Sequence, residues 1–117
     1  MASATNAAAI NFPTPTATWS APTDVALFDA ATGGNELVRA SLGTVSAPNS
    51  GDTVRFAASN LTFSQATGTV LKTEGSKQMV SGLFDSNVHV ALFAGNTELS
   101  GGGYSRVQVV PSGWTIS

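Results

Sequence analysis

Apolar and polar residues alternate in short segments along this chain. Residues 88–93 show the alternation most clearly, and residues 53–57 and 60–64 repeat it. Turn-forming residues separate the segments, as at positions 48–52. About seven to nine short strands, spaced roughly ten residues apart, predict one β-rich domain over residues 1–117. The pattern is typical of an all-β fold, either an antiparallel β-sandwich or a jelly-roll-like arrangement.

One segment departs from this pattern and predicts a single short helix. Residues 76–84 place apolar side chains on one helical face, with Ser76 as the N-cap. Residues 24–29 and 36–42 form a predicted hairpin, and residues 1–7 are predicted to be a loose arm. The predicted core includes Leu27, Phe56, Leu61, Phe63, Val90 and Leu92.

The sequence also contains a short internal similarity. Val-Ala-Leu-Phe at residues 25–28 leads through a Gly/Asn turn to Glu-Leu at residues 36–37. The same four residues at 90–93 lead through another Gly/Asn turn to Glu-Leu at 98–99. Two pseudo-equivalent hairpins explain this similarity, and so does the chance likeness of two core strands.

The composition narrows the classes of function. Asp, Glu, Lys and Arg make up 10% of the chain, against a typical ~25%. A net charge of −2 with five scattered basic residues argues against nucleic-acid binding, which requires a basic patch. A surface so poor in charge is weakly protected from association, so we expect contact with other copies or other proteins that buries at least ~1,000 Å².

Other features exclude further classes. The absence of cysteine excludes disulfides, zinc–thiolate sites and a thiol nucleophile. No window approaches the ~18 consecutive apolar residues of a membrane span, so no membrane partner is predicted. Met1 is followed by neither a basic region nor an apolar run, which predicts that no secretory signal is present.

The search for catalytic and metal-binding residues finds only weak candidates. His89 is the only histidine, no elbow motif presents a serine to it, and strand alternation places it on an outer face. Asp85, Asn87 and His89 alternate along one strand edge, but this spacing arises easily by chance. We therefore predict no catalytic, cofactor-binding or metal-binding residue and no cofactor.

The remaining candidates also favour structural interpretations. Acids that flank strands could form a glycosidase pair only if they lay close together: Asp24, Asp29, Glu36 and Glu98. Gly101, Gly102 and Gly103 lack the Lys/Thr helix start of a phosphate loop and predict a flexible or bulged hairpin crossing. Asn60 begins a glycosylation tripeptide that we interpret as a turn. Trp19, Tyr104 and Trp114 are either a sugar platform or lids on the core.

Several stretches resemble one family of small phage virion proteins, commonly labelled tail fibre proteins. Residues 28–35 (FDAATGGN) and 50–57 (SGDTVRFA) resemble its C-terminal half, and residues 6–14 resemble its middle. Residues 90–93 with 98–107 (ELSGGGYSRV) resemble its N-terminal half. The resemblance implies a β-rich structural component of the virion, assembled in the host cytoplasm, and supplies no catalytic residues.

The order of the two halves is reversed relative to that family. A circular permutation explains the reversal and predicts that the segment near Asn6 lies within roughly 15 Å of residues 114–117. It also predicts a new join at residues 66–74. The chain has no heptads or long repeat from which to build a fibre shaft.

Two functions follow as hypotheses. The first is a capsid decoration or cement protein that binds the major capsid protein or other virion proteins, as a homo-oligomer. The second is a knob on a tail fibre or baseplate that binds a host receptor or glycan. A hydrolase is a third class that the residue inventory disfavours.

Overall fold

Ten strands and one short helix make up the described part of the chain. The structure, a computed structural model, describes residues 2–43, 45–65, 78 and 80–116. Residues 78 and 80–83 are α-helical, and Pro111–Gly113 is a 3₁₀ turn. In chain order, the strands are β1 (Ala2–Asn6), β2 (Ile10–Asn11), β3 (Asp24–Phe28), β4 (Glu36–Ser41), β5 (Arg55–Phe56), β6 (Thr62–Gln65), β7 (Val88–Ala94), β8 (Thr97–Glu98), β9 (Val107–Val109) and β10 (Trp114–Ile116).

The strands form three sheets. Their orders are β10-β1-β6, β2-β5 and β4-β3-β7-β8, with β9 also paired to β7. The predicted all-β class, with antiparallel sheets and one short helix, is confirmed. Ser76, its predicted N-cap, lies outside the described residues. No helix in the described ranges is long and apolar enough to cross a membrane.

Contacts divide the chain into two compact units. Unit 1 contains Met1–Ile10, Phe56–Asn87 and Val109–Ser117, and unit 2 contains Asn11–Arg55 and Val88–Gln108. Each unit therefore combines segments that are distant in the sequence.

In unit 1, β1 is the central strand of its sheet. It pairs antiparallel with β6 on one side and with β10 on the other. The prediction of a loose arm at residues 1–7 is therefore wrong for Ala2–Asn6. Small side chains gave no sequence signal for a strand, yet Ala4 and Asn6 are fully buried.

The side chain of Asn6 helps to hold β1 in the sheet. Its side-chain amide donates to the carbonyls of Ala8 and Ala57, both at 2.9 Å. Its side-chain oxygen accepts from the backbone N–H of Leu61 at 2.9 Å. A buried amide is stable only when such bonds are made, so Asn6 fixes the end of β1 against residues 57–61.

The same sheet brings the two described ends of the chain together. Ala4 pairs with Ile116 and Asn6 pairs with Trp114. Neighbouring strands lie about 4.8 Å apart, so the predicted proximity of these segments is confirmed. The predicted join at residues 66–74 lies outside the described residues.

The core of unit 1 is aromatic. Phe84 and Trp114 have ring centroids 4.6 Å apart, and Phe63 lies 6.0 Å from each of them. Leu61 and Phe63 are buried as predicted, whereas Phe56, at the end of the two-residue strand β5, is half-buried.

In unit 2, two hairpins meet through their first strands. β3 and β4 form the first hairpin, and β7 and β8 form the second. β3 and β7 pair antiparallel, with Val25 opposite Leu92, Ala26 opposite Ala91 and Leu27 opposite Val90. The two Val-Ala-Leu-Phe segments therefore face each other in opposite directions about a local pseudo-two-fold axis.

Both faces of these central strands are covered. Val25, Leu27, Val90 and Leu92 are buried on one face, and Leu27, Val90 and Leu92 confirm the predicted core. On the other face, a second buried cluster contains Ala26, Phe28, Ala91 and Phe93. This second face carries His89, and the sequence analysis predicted that it is an outer face. The structure instead covers its phenylalanines with the side chains of Arg39 and Arg106.

Candidate functional site

Two stacked phenylalanines form the centre of the covered face. Phe28, at the end of β3, and Phe93, near the end of β7, have centroids 5.9 Å apart and planes inclined by 8°. These rings occupy equivalent positions in the two hairpins. Each presents its outer face to a guanidinium group, which binds aromatic faces favourably.

Arg106 covers Phe28, with its guanidinium carbon 3.8 Å from the ring centroid. Its Nε and Nη2 donate to the two carboxylate oxygens of Glu98, both at 2.8 Å. Its Nη1 donates to the carbonyls of Ala30 and Gly33 at 2.9 and 2.8 Å. We call this arrangement the Arg106 clamp. Only 6% of the Arg106 side chain is exposed, and its guanidinium holds the pKa of Glu98 below the ordinary value.

Arg39 covers Phe93 in the same way, again at 3.8 Å. Its Nε and Nη2 donate to the carboxylate of Glu36 at 3.3 and 2.6 Å, and its Nη1 donates to the carbonyl of Gly95 at 3.1 Å. Asp24 lies 3.6 Å from the same guanidinium. We call this arrangement the Arg39 clamp. It is the more open of the two, because 26% of the Arg39 side chain is exposed.

Each clamp arginine covers the phenylalanine of the other hairpin. Arg39 follows the first hairpin's turn, yet it covers Phe93 and binds Gly95 in the second. Arg106 follows the second hairpin, yet it covers Phe28 and binds the turn of the first. The structure therefore favours pseudo-equivalent hairpins as the explanation of the internal sequence similarity.

One difference breaks this symmetry. Glu36 and Arg39 are three residues apart, whereas Glu98 and Arg106 are eight apart. The extra residues belong to the second loop, residues 99–106. Tyr104 in this loop donates its hydroxyl to Glu98 at 2.8 Å and accepts from the backbone N–H of Leu92 at 3.0 Å. Tyr104 thus supplies the acceptor for a backbone N–H of β7. Burial raises the pKa of the Tyr104 hydroxyl.

The second loop is anchored by Trp19. The Trp19 indole N–H donates to the carbonyl of Gly102 at 2.7 Å, and its ring meets Tyr104 edge-on at 5.4 Å. Gly102 has φ of +56°, and a Cβ there would lie 2.9 Å from the Trp19 ring. Glycine is therefore required at this position by both conformation and space.

The first loop, residues 29–35, is closed by its own side chains. The Asp29 carboxylate accepts from the backbone N–H of Asn35 at 2.7 Å and from its side-chain amide at 2.9 Å. The backbone hydrogen bond from Asn35 lowers the pKa of Asp29. Only glycine fits at position 34 of this turn, because a Cβ there would lie 2.5 Å from an Asp29 oxygen.

An open groove runs between the two loops. Residues 31–33 line one side, and residues 98–101 and 104–106 line the other. Its volume is ≈ 270 Å³, close to the lower end of the range of small-molecule sites. The hydroxyl-bearing residues Thr32, Ser100 and Ser105 are exposed along it.

The comparison with known families bears on this region. Residues 1–64 match the family described as Podophage GP4 fiber I protein gp80. The chain belongs to this family. The matched part includes the first hairpin and the first loop, and the second loop follows it in the sequence. No curated protein matches the chain, and no solved structure matches it.

Membership of this family makes the chain a phage virion structural protein. The stretches at residues 6–14, 28–35 and 50–57, on which the sequence resemblance partly rested, all lie within the match. The family description names a fibre component and no enzymatic activity.

The candidate metal-binding residues are arranged differently from the sequence expectation. β7 begins at Val88, so Asp85 and Asn87 precede the strand instead of alternating along it. His89 is half-buried and lies opposite Phe28 in the sheet, on the clamp face. In the part of the chain that the structure describes, no three His, Asp or Glu side chains are grouped to hold a metal ion.

The four acids considered as a glycosidase pair are each engaged by a partner. Glu36 and Asp24 contact Arg39, and Glu98 contacts Arg106. Asp29 closes the first loop. Their observed contacts are those of structural ion pairs and turn bonds.

The aromatic candidates pack within their own units. Trp19 contacts Tyr104 in unit 2, and Trp114 contacts Phe63 and Phe84 in unit 1. Both tryptophans are buried, which is the geometry of core lids rather than of an exposed sugar platform. Asn60 is exposed, and its N–H donates to the carbonyl of Ala57 in a turn, as the sequence interpretation proposed.

Sequence reasoning missed both clamp arginines. A signal was present, because each Val-Ala-Leu-Phe-turn-Glu-Leu segment is followed by an arginine. The unequal spacing after Glu36 and Glu98 concealed the equivalence of Arg39 and Arg106.

Proposed function

We propose that this chain is a non-enzymatic subunit of a phage fibre, in which the sheet of unit 2 serves as a rigid platform for the two loops. The observation that carries the proposal is the match of residues 1–64 to a fibre protein family. The contacts of the loops support it, because Arg106 binds the first loop at Ala30 and Gly33, and Trp19 anchors the second loop at Gly102.

A localisation experiment tests this proposal. Gold-labelled antibody against the recombinant chain, followed by cryo-EM of purified particles, should place the protein on a fibre. Quantitative mass spectrometry should give a copy number far below that of the major capsid protein. Uniform labelling of the head, with a copy number comparable to that of the capsid protein, would favour the decoration role instead.

We also infer that the chain works as a homo-oligomer or in contact with other virion proteins. The low charge of the sequence supports this inference, because such surfaces are weakly protected from association. Sedimentation equilibrium of the purified chain tests self-association. Cross-linking of intact particles followed by mass spectrometry identifies neighbouring proteins, and a monomer without cross-links would contradict the inference.

The permuted order of the two motif-bearing segments is a further part of the proposal. Two observations support it. β1 and β10 are adjacent, and Arg106 of the later segment binds the first loop of the earlier one. A chain in which residues 117 and 2 are joined and a cut is made at residues 66–74 should fold to the same sheets. Loss of the β-sheet circular dichroism spectrum in this variant would contradict the permutation.

A further inference from the structure

The groove between the two loops has preorganised walls. Arg106 ties both walls together, because it binds Glu98 on one side and the carbonyls of Ala30 and Gly33 on the other. Trp19 anchors the second loop through Gly102. A site whose walls are already fixed loses little conformational freedom on binding, which favours recognition of a small ligand.

The groove is electrically balanced, and most of its accessible lining is apolar. Its lining contains one cation and one carboxylate, Arg106 and Glu98, and these neutralise each other through a bidentate pair. Tyr104 carries no charge at neutral pH, since burial raises its pKa. The exposed residues Thr32, Ser100 and Ser105 add hydroxyl groups to this mostly apolar lining.

The second loop is longer than support of the sheet requires. The Arg39 clamp and the Arg106 clamp use the same atoms for the same bonds. Support of the sheet therefore requires only the short Glu36–Arg39 spacing. The inserted residues of the second loop go beyond that requirement, and they form one wall of the groove.

We propose that this groove binds a neutral, polyhydroxylated ligand, namely a sugar unit of a surface glycan. A sugar ring combines apolar C–H faces with hydroxyls that donate and accept hydrogen bonds, which suits a mostly apolar lining with hydroxyl-bearing residues along it. A phosphate or carboxylate ligand would find no uncompensated cation in this lining. The proposal rests on the proposed function, because a fibre is a part of the particle that can meet a cell surface.

The test uses the full recombinant chain and amide NMR titrations. The probes are neutral disaccharides containing glucose, galactose, rhamnose or N-acetylglucosamine, with glucuronic acid and glucose 6-phosphate as anionic counterparts. At least one neutral probe should shift the amide signals of residues 31–33 and 98–106. Dissociation constants in the range of about 1 mM are expected for a single small site.

Variants locate the binding. Ser105→Phe and Thr32→Phe each place a bulky side chain on one wall, and each should weaken binding by about tenfold or more. Ser20→Phe is the matched control, because Ser20 is exposed in the same unit but does not line the groove, and it should bind as the unchanged chain does. Thermal unfolding of all three variants verifies that they are folded.

Three results would overturn the proposal. These are the absence of shifts with every neutral probe, tighter binding of the anionic probes, or unchanged binding in both groove variants. A second titration with lipopolysaccharide O-chain and secreted exopolysaccharide from a sensitive strain distinguishes the two sources of such a sugar. Particle localisation is measured separately, so a fibre subunit that fails to bind sugars remains distinguishable from a chain that is not a fibre subunit.

Discussion

The two hairpins of unit 2 share a design and differ in how far each is enclosed. Both place a phenylalanine under an arginine that is held by a glutamate. Arg39 lies within β4, and 26% of its side chain is exposed, whereas Arg106 lies at the end of the second loop and only 6% of its side chain is exposed.

The exposure of an ion pair affects its contribution to stability. An exposed ion pair contributes little to stability, because water and salt screen its charges. Enclosure removes that screening and makes each hydrogen bond of the guanidinium matter more. We therefore expect the pair of Arg39 and Glu36 to contribute less to stability than the pair of Arg106 and Glu98.

The largest effect is expected from Arg106→Ala. The substitution leaves the Glu98 carboxylate and the carbonyls of Ala30 and Gly33 without their donor, and it uncovers Phe28. The free energy of unfolding should fall by roughly 2–5 kcal/mol, because several acceptors and the face of Phe28 lose one shared partner. Urea titration followed by tryptophan fluorescence measures the loss.

Arg106→Lys is the matched control for this prediction. Lysine keeps the charge but lacks the planar fork that binds both Glu98 oxygens. It should recover part of the lost stability. If Arg106→Lys were as stable as the unchanged chain, the bidentate bonds to Glu98 would contribute nothing to stability, which would contradict this prediction.

A smaller loss is expected from Tyr104→Phe. The ring contacts with Trp19 remain, but the hydroxyl that accepts from the Leu92 N–H is removed. Leaving a buried backbone donor unpaired costs about 1–3 kcal/mol. Hydrogen exchange at the Leu92 amide should accelerate, and Ser105→Ala should change neither stability nor exchange.

Lowering the pH should weaken the contribution of the Arg106 clamp to stability. The folded chain holds the pKa of Glu98 below its ordinary value, so this contribution to stability is complete above the unfolded pKa of about 4.3. It is lost as the pH falls through the folded pKa, because protonation breaks the pair with Arg106. Unfolding free energies measured from pH 6 down to about pH 3 should fall less steeply in Glu98→Gln. Equal slopes in the two proteins would contradict this role of Glu98.

The smallest effect is expected from Arg39→Ala. The Arg39 side chain is 26% exposed, against 6% for Arg106, so water and salt already screen the ion pairs that the substitution removes. The loss should be clearly smaller than for Arg106→Ala and should shrink further as salt is added. An equal loss for the two alanine variants would show that enclosure by the second loop does not matter.

The strands with strong apolar character could be predicted from the sequence. The hairpin at β3 and β4 and the strand β7 follow from alternation and turn residues, and the paired Val-Ala-Leu-Phe segments suggested equivalent hairpins. Strand β1 could not be predicted in this way. Its small polar residues become ordered through long-range bonds, such as that from Asn6 to Ala57.

The site was less predictable than the fold. Burial of the second sheet face depends on Arg39 and Arg106, and charged residues are ordinarily interpreted as solvent-exposed. Their stems and guanidinium groups instead cover Phe28 and Phe93. Only the fold shows that residues so far apart in the chain meet on one face.

The exchange of arginines between the hairpins also has a consequence for how unit 2 folds. Arg106 bonds to Ala30 across 76 residues, and Arg39 bonds to Gly95 across 56. An isolated two-stranded hairpin is marginally stable in water, and here each lacks its covering arginine until the other has arrived. The unit should therefore form in one late, cooperative step, slowed by the closure of long loops, and its amides should exchange together instead of hairpin by hairpin.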